Sequence, residues 1–336
     1  MLASTSFDPA LTAWLGAIVL LLGEVFALLS LRNLPRLIVI STIAEVGYVL
    51  LGLGLGGAAG DTGAFMHLGY QLVMRGLVVL TAWWLIRRTG SAQLDALAGS
   101  GQRMPVVATL FGFGMFSVMG LSPFKGSFSK FLVLYSAIEQ GQWLLAAVGT
   151  LASIIAAVYY IRIIQRVCLE PAETELRLQA APSQLMAPIS LLTALTIYMS
   201  IWPEPFLHYA GTLAGVLDLA AVPQFESPWS TLVLVPYVGA FVLYAIGRFS
   251  TRGRDVAALL IAGATVALTL QEPGLDPVSR LFALIFVGIA FLVVLYSHGY
   301  MKHGEQTNRY TFFVFLLIGS LLGLATAHEF GNFYVF

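Results

Sequence analysis

Lys130, Arg75, His67, Glu45, Glu24 and Lys125 are ionisable, and each lies within or beside a stretch that is otherwise apolar. A charged group at the centre of a membrane helix costs roughly 2.5–3.5 kcal/mol on insertion scales, so it is a functional candidate by default. The chemistry these residue types share is proton exchange. A partly desolvated lysine can release its proton. A carboxyl in a dry site either keeps its proton or pairs with a cation. An imidazole can carry a proton on either nitrogen, whereas a guanidinium keeps its charge. His67, Gln71 and Arg75 recur at i, i+4 and i+8 and so share one helix face. That stripe can line water or relay protons, with Arg75 as a fixed charge. Eleven residues separate Arg75 from Ile86 at the end of its span, too many for the side chain to snorkel to an interface.

The lysines follow a break. The stretch Gly112–Glu139, GFGMFSVMGLSPFKGSFSKFLVLYSAIE, is apolar enough for a bilayer but carries Gly120, Pro123 and Gly126 in its middle. Pro123 has no N–H and a fixed φ, so a helix must kink or stop there. A broken helix at membrane depth is tolerated only where protein or a water-filled cavity surrounds it. Lys125 falls in the break, where satisfying freed carbonyls is role enough; Lys130 lies one turn beyond, as a site for proton handling. Glu24, in LLLGEVFALL, and Glu45, in STIAEVGYVL, sit at moderate depth, and each reads equally as a packing acid or a proton site.

The elements that must hold these groups are membrane helices. Hydrophobic residues make up 58% of the 336 and charged residues only 10%, against about 25% charged in soluble domains. The fold class is therefore all-α and polytopic. Ten apolar spans can be drawn, near 12–31, 36–58, 62–86, 104–139 (broken), 142–166, 187–206, 230–248, 255–271, 278–299 and 310–328. Alternating them puts thirteen of the 17 Lys and Arg on one side and Arg280 alone on the other. The basic side is expected to be the cytoplasm, with both termini outside. Trp83, Trp84, Trp143, Trp202 and Trp229 fall near span ends, as interfacial aromatics do. Asp276 before Pro277 reads as a helix cap. The N-terminus lacks the basic segment of a cleavable signal peptide. Zero net charge gives no nucleic-acid signature. The single Cys168 and five scattered histidines suggest no metal site, and no nucleotide-binding motif appears, so no cofactor is expected.

Three stretches carry a family resemblance. NLPRLIVISTIAEVGYVLLGLG resembles a "KRLLAYSTISQLGY" helix, MHLGYQLVMRGLVVL a "HLxxHAxFKALLFL" helix, and GLSPFKGSFSKFLVL a "GIPPFxGFFSK" broken helix. These are segments of the antiporter-like membrane subunits of respiratory complex I, of membrane-bound hydrogenases such as formate hydrogenlyase, and of multi-subunit cation/proton antiporters. The resemblance implies that Lys130 is the lysine after the break, at the exit of a proton path. It places Arg75 where the family has a central lysine and His67 on a family histidine. Gln71 stands where a second histidine is common, and Pro35 where a lysine is. Glu24 and Glu45 are then replacement proton sites.

A second resemblance concerns DPVSRLFALIFVGIAFLVVLYSHGYM and FLLIGSLLGLATAHEFGNFYVF, which look like the family's N-terminal helices. The expected organisation is a C-terminal-half antiporter-like module over 1–206, an external connector over 207–229, and N-terminal-type helices over 230–336 that leave a second module incomplete. The implied function is that of a proton-translocating subunit of a redox-driven complex, of the NADH-quinone oxidoreductase or hydrogenase type, in the cell inner membrane. It would be non-catalytic in itself and surrounded by lipid and by other membrane subunits, antiporter-like ones included, with no nucleic-acid partner. The alternatives are a component of a multi-subunit Na⁺/H⁺ antiporter and a non-conducting membrane spacer.

Overall fold

Each of the first two helices starts on a polar cap followed by proline. Asp8 accepts a hydrogen bond from the Ala10 N–H ahead of α1 (Pro9–Leu29), and Asn33 accepts from the Arg36 N–H ahead of α2 (Leu34–Leu55). The computed structural model describes residues 8–120, 126–171, 182–216, 222, 230–300 and 307–327. They fall into two compact units, Met1–Gln224 and Phe225–Phe336.

In the first unit, Gly56 and Gly57 at φ 66° and 75° turn the chain directly from α2 into α3 (Gly57–Thr89). At 33 residues α3 is about 50 Å long, more than the ~30 Å hydrocarbon core, so its last turns reach the membrane surface. A short α4 (Ser100–Arg103) leads to α5 (Pro105–Met119), which stops at Gly120 in the left-handed region, φ 81°. Helix α6 (Gly126–Glu139) resumes after it, so the span drawn over 104–139 is two helices. Pro123 and Lys125 lie outside the described residues. Then follow α7 (Trp143–Ile164), extended by a π turn to Leu169, α8 (Ser183–Ile201) and the short α9 (Glu204–Leu213).

The second unit comprises α10 (Thr231–Gly247), α11 (Thr251–Gln271), α12 (Pro277–Tyr300) and α13 (Thr307–Ala325). Leu232, Tyr237, Ala283, Val287 and Phe315 belong to its core. As expected, Asp276 caps α12, accepting from the Val278 and Ser279 N–H groups at 3.0 and 3.1 Å. Among the described residues eight helices are long and apolar enough to cross a membrane. With α10 and the broken pair α5/α6, they reproduce the ten spans drawn from the sequence.

The aromatic pattern needs one correction. Trp83, Trp143 and Trp202 are exposed, but Trp84 is buried, because successive positions of a helix point about 100° apart; Trp229 lies outside the described residues.

Helices α1 and α2 lie nearly backbone to backbone. A Cβ on Gly16 would stand 2.5 Å from the Leu51 nitrogen, and one on Gly47 2.6 Å from the Gly16 carbonyl oxygen. Close approach through small residues is how membrane helices gain contact without a hydrophobic driving force between them. This seam brings Glu24 and Glu45 into one layer of the interior. Gly47→Val should therefore destabilise the chain by about 1–3 kcal/mol through overpacking. Gly69→Ala, where nothing lies within 4 Å, should be neutral or better. Unfolding of both variants in detergent checks the contrast.

Candidate functional site

The polar residues of the first unit converge because each helix spaces its own by whole turns. Helix α2 offers Ser41, Thr42, Glu45 and Tyr48; α3 offers His67, Gln71 and Arg75; α6 offers Ser129 and Lys130; α7 offers Tyr159 and Tyr160. Glu45 is the centre. Its Oε1 accepts from the Lys130 ammonium at 2.8 Å, and its Oε2 lies 2.9 Å from His67 Nε2. The Arg75 guanidinium stands 3.7 Å from Oε1. Glu45 and Lys130 are each 2% exposed and His67 0%. Of the two fates open to a membrane carboxyl, Glu45 has taken pairing.

His67 is held at both nitrogens, by Glu45 at Nε2 and by the Ser129 hydroxyl 3.0 Å from Nδ1. With Glu45 ionised, Nε2 must donate to its carboxylate, so a neutral ring accepts at Nδ1 from the Ser129 hydroxyl. Ser129 neighbours Lys130 on α6, so one helix supplies both the cation and the imidazole's second partner. Tyr48 completes the packing: its ring lies 5.2 Å from the Lys130 ammonium and 5.2 Å from the His67 ring. Its hydroxyl donates to the Gly149 carbonyl at 2.6 Å, tying α2 to α7.

Arg75 is fully engaged. Its Nε donates to Gln71 Oε1 at 2.7 Å, one terminal nitrogen donates to Ser41 Oγ and Thr42 Oγ1 at 2.9 Å each, and the other donates to the Ser41 carbonyl at 3.0 Å and Tyr160 Oη at 3.3 Å. His67, Gln71 and Arg75 do share one face of α3, and Gln71 accepts from the guanidinium and orients it. Glu24 lies apart from the cations. It is buried, and its Oε2 accepts from the Tyr159 hydroxyl at 2.6 Å. The Tyr159 ring packs 4.4 Å from that of Tyr160, which contacts Arg75.

The structure thus brings Lys130, His67, Glu45 and Arg75 together and places Glu24 one tyrosine pair away. Lys125 and Pro123 fall outside the described residues; Gly120 and Gly126 flank the interruption. Sequence reasoning passed over Ser41, Thr42, Ser129, Tyr159 and Tyr160. The signal for the tyrosines was the YY pair deep in an apolar span. Hydroxyls carry none, since they are common in such helices and need not face inward. Among the described residues no group of three His, Cys, Asp or Glu is placed to hold a metal ion.

Removing one partner from a buried ion pair strands the other, at about 3–5 kcal/mol, whereas replacing both with apolar groups is often neutral. Glu45→Gln should therefore lower stability by that amount, and Glu45→Leu/Lys130→Met should recover most of it. A double-mutant cycle of unfolding in detergent checks the sign.

This arrangement has relatives. Residues 2–156 match the family described as NADH:quinone oxidoreductase/Mrp antiporter, TM, and residues 273–311 match NADH-Ubiquinone oxidoreductase (complex I), chain 5 N-terminus. NADH-quinone oxidoreductase subunit N of Parvibaculum lavamentivorans is 32% identical over 183 residues, which are 54% of this chain and 38% of the relative. Subunit N 1 of Rhizobium meliloti is 34% identical over 198 residues, 56% of this chain and 41% of the relative. The matches thus span about two fifths of those relatives' length. Two solved structures share the fold. The membrane-bound sulfane sulfur reductase, an archaeal respiratory membrane complex, has a TM-score of 0.58 and 22% identity over 64% of this chain and 44% of the other. The Mrp complex from Dietzia sp. has a TM-score of 0.52 and 23% identity over 61% and 47%. The first stretch ends within α7 and the second covers α12 and the start of α13, the two regions whose motifs resemble different parts of such subunits. Over these two stretches the chain is similar to the antiporter-like membrane subunits of the NADH:quinone oxidoreductase/Mrp antiporter family.

Proposed function

We propose that the chain is a proton-translocating part of a redox-driven membrane complex, seated in the inner membrane among other membrane subunits, antiporter-like ones included. The observation that carries this reading is the Lys130–Glu45–His67 cluster, buried beside an interrupted helix. Residues 1–206 would act as the C-terminal half of one antiporter-like module, 207–229 as a connector, and 230–336 as the opening helices of another.

The proposed step is an exchange of partners around one carboxylate. Glu45 holds the Lys130 ammonium through Oε1. A proton arriving at His67 through Ser129 makes the ring an imidazolium, with its Nε2–H on Oε2 of the same carboxylate. Two cations then share one counter-ion, and the Lys130 Nζ can release its proton toward the break between α5 and α6. Passage of the His67 proton across the Glu45 carboxylate to the Lys130 amine restores the first state, with one proton moved from the His67 side to the break. Each site's charge sets the other's affinity, which is coupling between titrating groups. Arg75 takes no part in the transfer: its donors are occupied and its charge is permanent, so it biases the carboxylate without moving. Glu24 serves as a second proton site, exchanging through Tyr159.

The Mrp likeness favours a second reading, a component of a cation/proton antiporter driven by an ion gradient, with the same residues in the same roles. A spacer that transmits shape alone would leave buried charges without use.

In vesicles carrying the assembled complex, Lys130→Ala should abolish the proton uptake that depends on this chain while electron transfer persists. Arg75→Gln should cut it about tenfold or more, the worth of losing one charge-assisted contact of ~1.4 kcal/mol or greater. Pumping unchanged in both would establish the spacer reading.

A further inference from the structure

The last turns of α3 and the first turn of α8 enclose a crevice of about 440 Å³, lined by Trp83, Trp84, Arg87, Arg88, Gln184 and Leu185 among others. It lies at the basic end of α3, where that helix outruns the hydrocarbon core. The Arg87 guanidinium sits 5.1 Å from the centre of the Trp83 ring and that of Arg88 4.4 Å from the Trp84 ring. Among the described residues no carboxylate pairs with Arg87. Bases in a last turn also suit the helix dipole, but that alone does not build a two-walled recess with a neighbouring helix.

We propose that this crevice binds the phosphodiester headgroup of an anionic phospholipid. Three observations fit one occupant. Two guanidiniums supply forked donors that match phosphate oxygens, and Gln184 adds an exposed amide for the rest of the headgroup. The depth is that of headgroups, where basic pockets between membrane helices bind anionic lipid. Below the crevice, Leu72, Val79 and Trp83 are exposed at i, i+7 and i+11 of α3, one apolar face along which an acyl chain can lie. A free phosphate would use the arginines but not that face. The lipid would brace α3, the helix that carries His67 and Arg75, against α8. The assignment is independent of whether the cluster moves protons.

Native mass spectrometry of the full chain in a sugar detergent tests this, with phosphatidylglycerol, phosphatidylcholine or inorganic phosphate added. Phosphatidylglycerol should stay bound in preference to phosphatidylcholine, and Arg87→Gln/Arg88→Gln should weaken it roughly thirtyfold, the effect of two surface arginines. Equal retention by the variant, or no preference between the lipids, would overturn the site. Displacement by equimolar inorganic phosphate would make it a free-anion site and overturn the lipid reading. If the variant fails to insert, photo-crosslinking of labelled phosphatidylglycerol to the native chain decides: adducts at 83–88 and 184–185 support the proposal, and adducts only elsewhere refute it.

Discussion

A lysine ammonium and a glutamate carboxylate 2.8 Å apart, in an interior that almost excludes solvent, set the terms for the rest of the first unit. Desolvating two ions is costly, and their attraction offsets the cost only with good geometry and further hydrogen bonds. Much of the surroundings supplies those bonds. His67 occupies the second carboxylate oxygen, Ser129 holds His67, and Tyr48 lays its ring against both the ammonium and the imidazole. The pair also explains where the helices sit. Glu45 can reach Lys130 only if α2 packs closely on α3 and α6, and Gly52 of α2, against Gly60 and Val133, and Gly63 of α3, against Leu132, permit that approach.

Arg75 solves a related problem differently. Its charge pairs with the Glu45 carboxylate 3.7 Å away, while its hydrogen bonds go to dipoles: one amide, two hydroxyls, a carbonyl and a tyrosine. A cation held by oriented dipoles on three helices is a permanent part of the interior field. A lysine in its place would have three donors on a flexible stem and could exchange a proton. On the proposed reading, Arg75 is a source of constant potential and the titrating groups are Glu45, His67 and Lys130. Glu24 belongs to the same field through Tyr159 and Tyr160, yet among the described residues it pairs with no cation.

Much of this was legible in the sequence, for reasons that differ by residue. Long apolar runs and the lopsided lysine and arginine distribution locate the spans, because hydrocarbon thickness leaves little choice of length. His67, Gln71 and Arg75 announced a face through helical spacing. Gly120, Pro123 and Gly126 announced a break, and the structure ends one helix and begins the next on its two flanks. What spacing within one helix cannot reveal is which residues of different helices meet. That Glu45, and not Glu24, would be the counter-ion of Lys130 depends on the rotation of α2 against α6. The serine and threonine hydroxyls that complete the network were invisible because their residue types are ordinary in membrane helices until a charge faces them. Trp84 shows the same limit in reverse: position near a span end suggested an interfacial ring, and one further step of rotation buried it.

The central claim is that Lys130 lives against Glu45 in the resting protein. The chain has three lysines, Lys125, Lys130 and Lys302, so its ammonium nitrogens are few enough to resolve. Solid-state magnetic resonance of the full chain in lipid bilayers, with ¹⁵N in lysine and ¹³C in glutamate, should give one strong through-space correlation between a lysine Nζ and a glutamate side-chain carboxyl, lost in Lys130→Met and in Glu45→Gln. Lysine nitrogens that correlate with water alone, with the signal of Lys130 among them, would contradict the account.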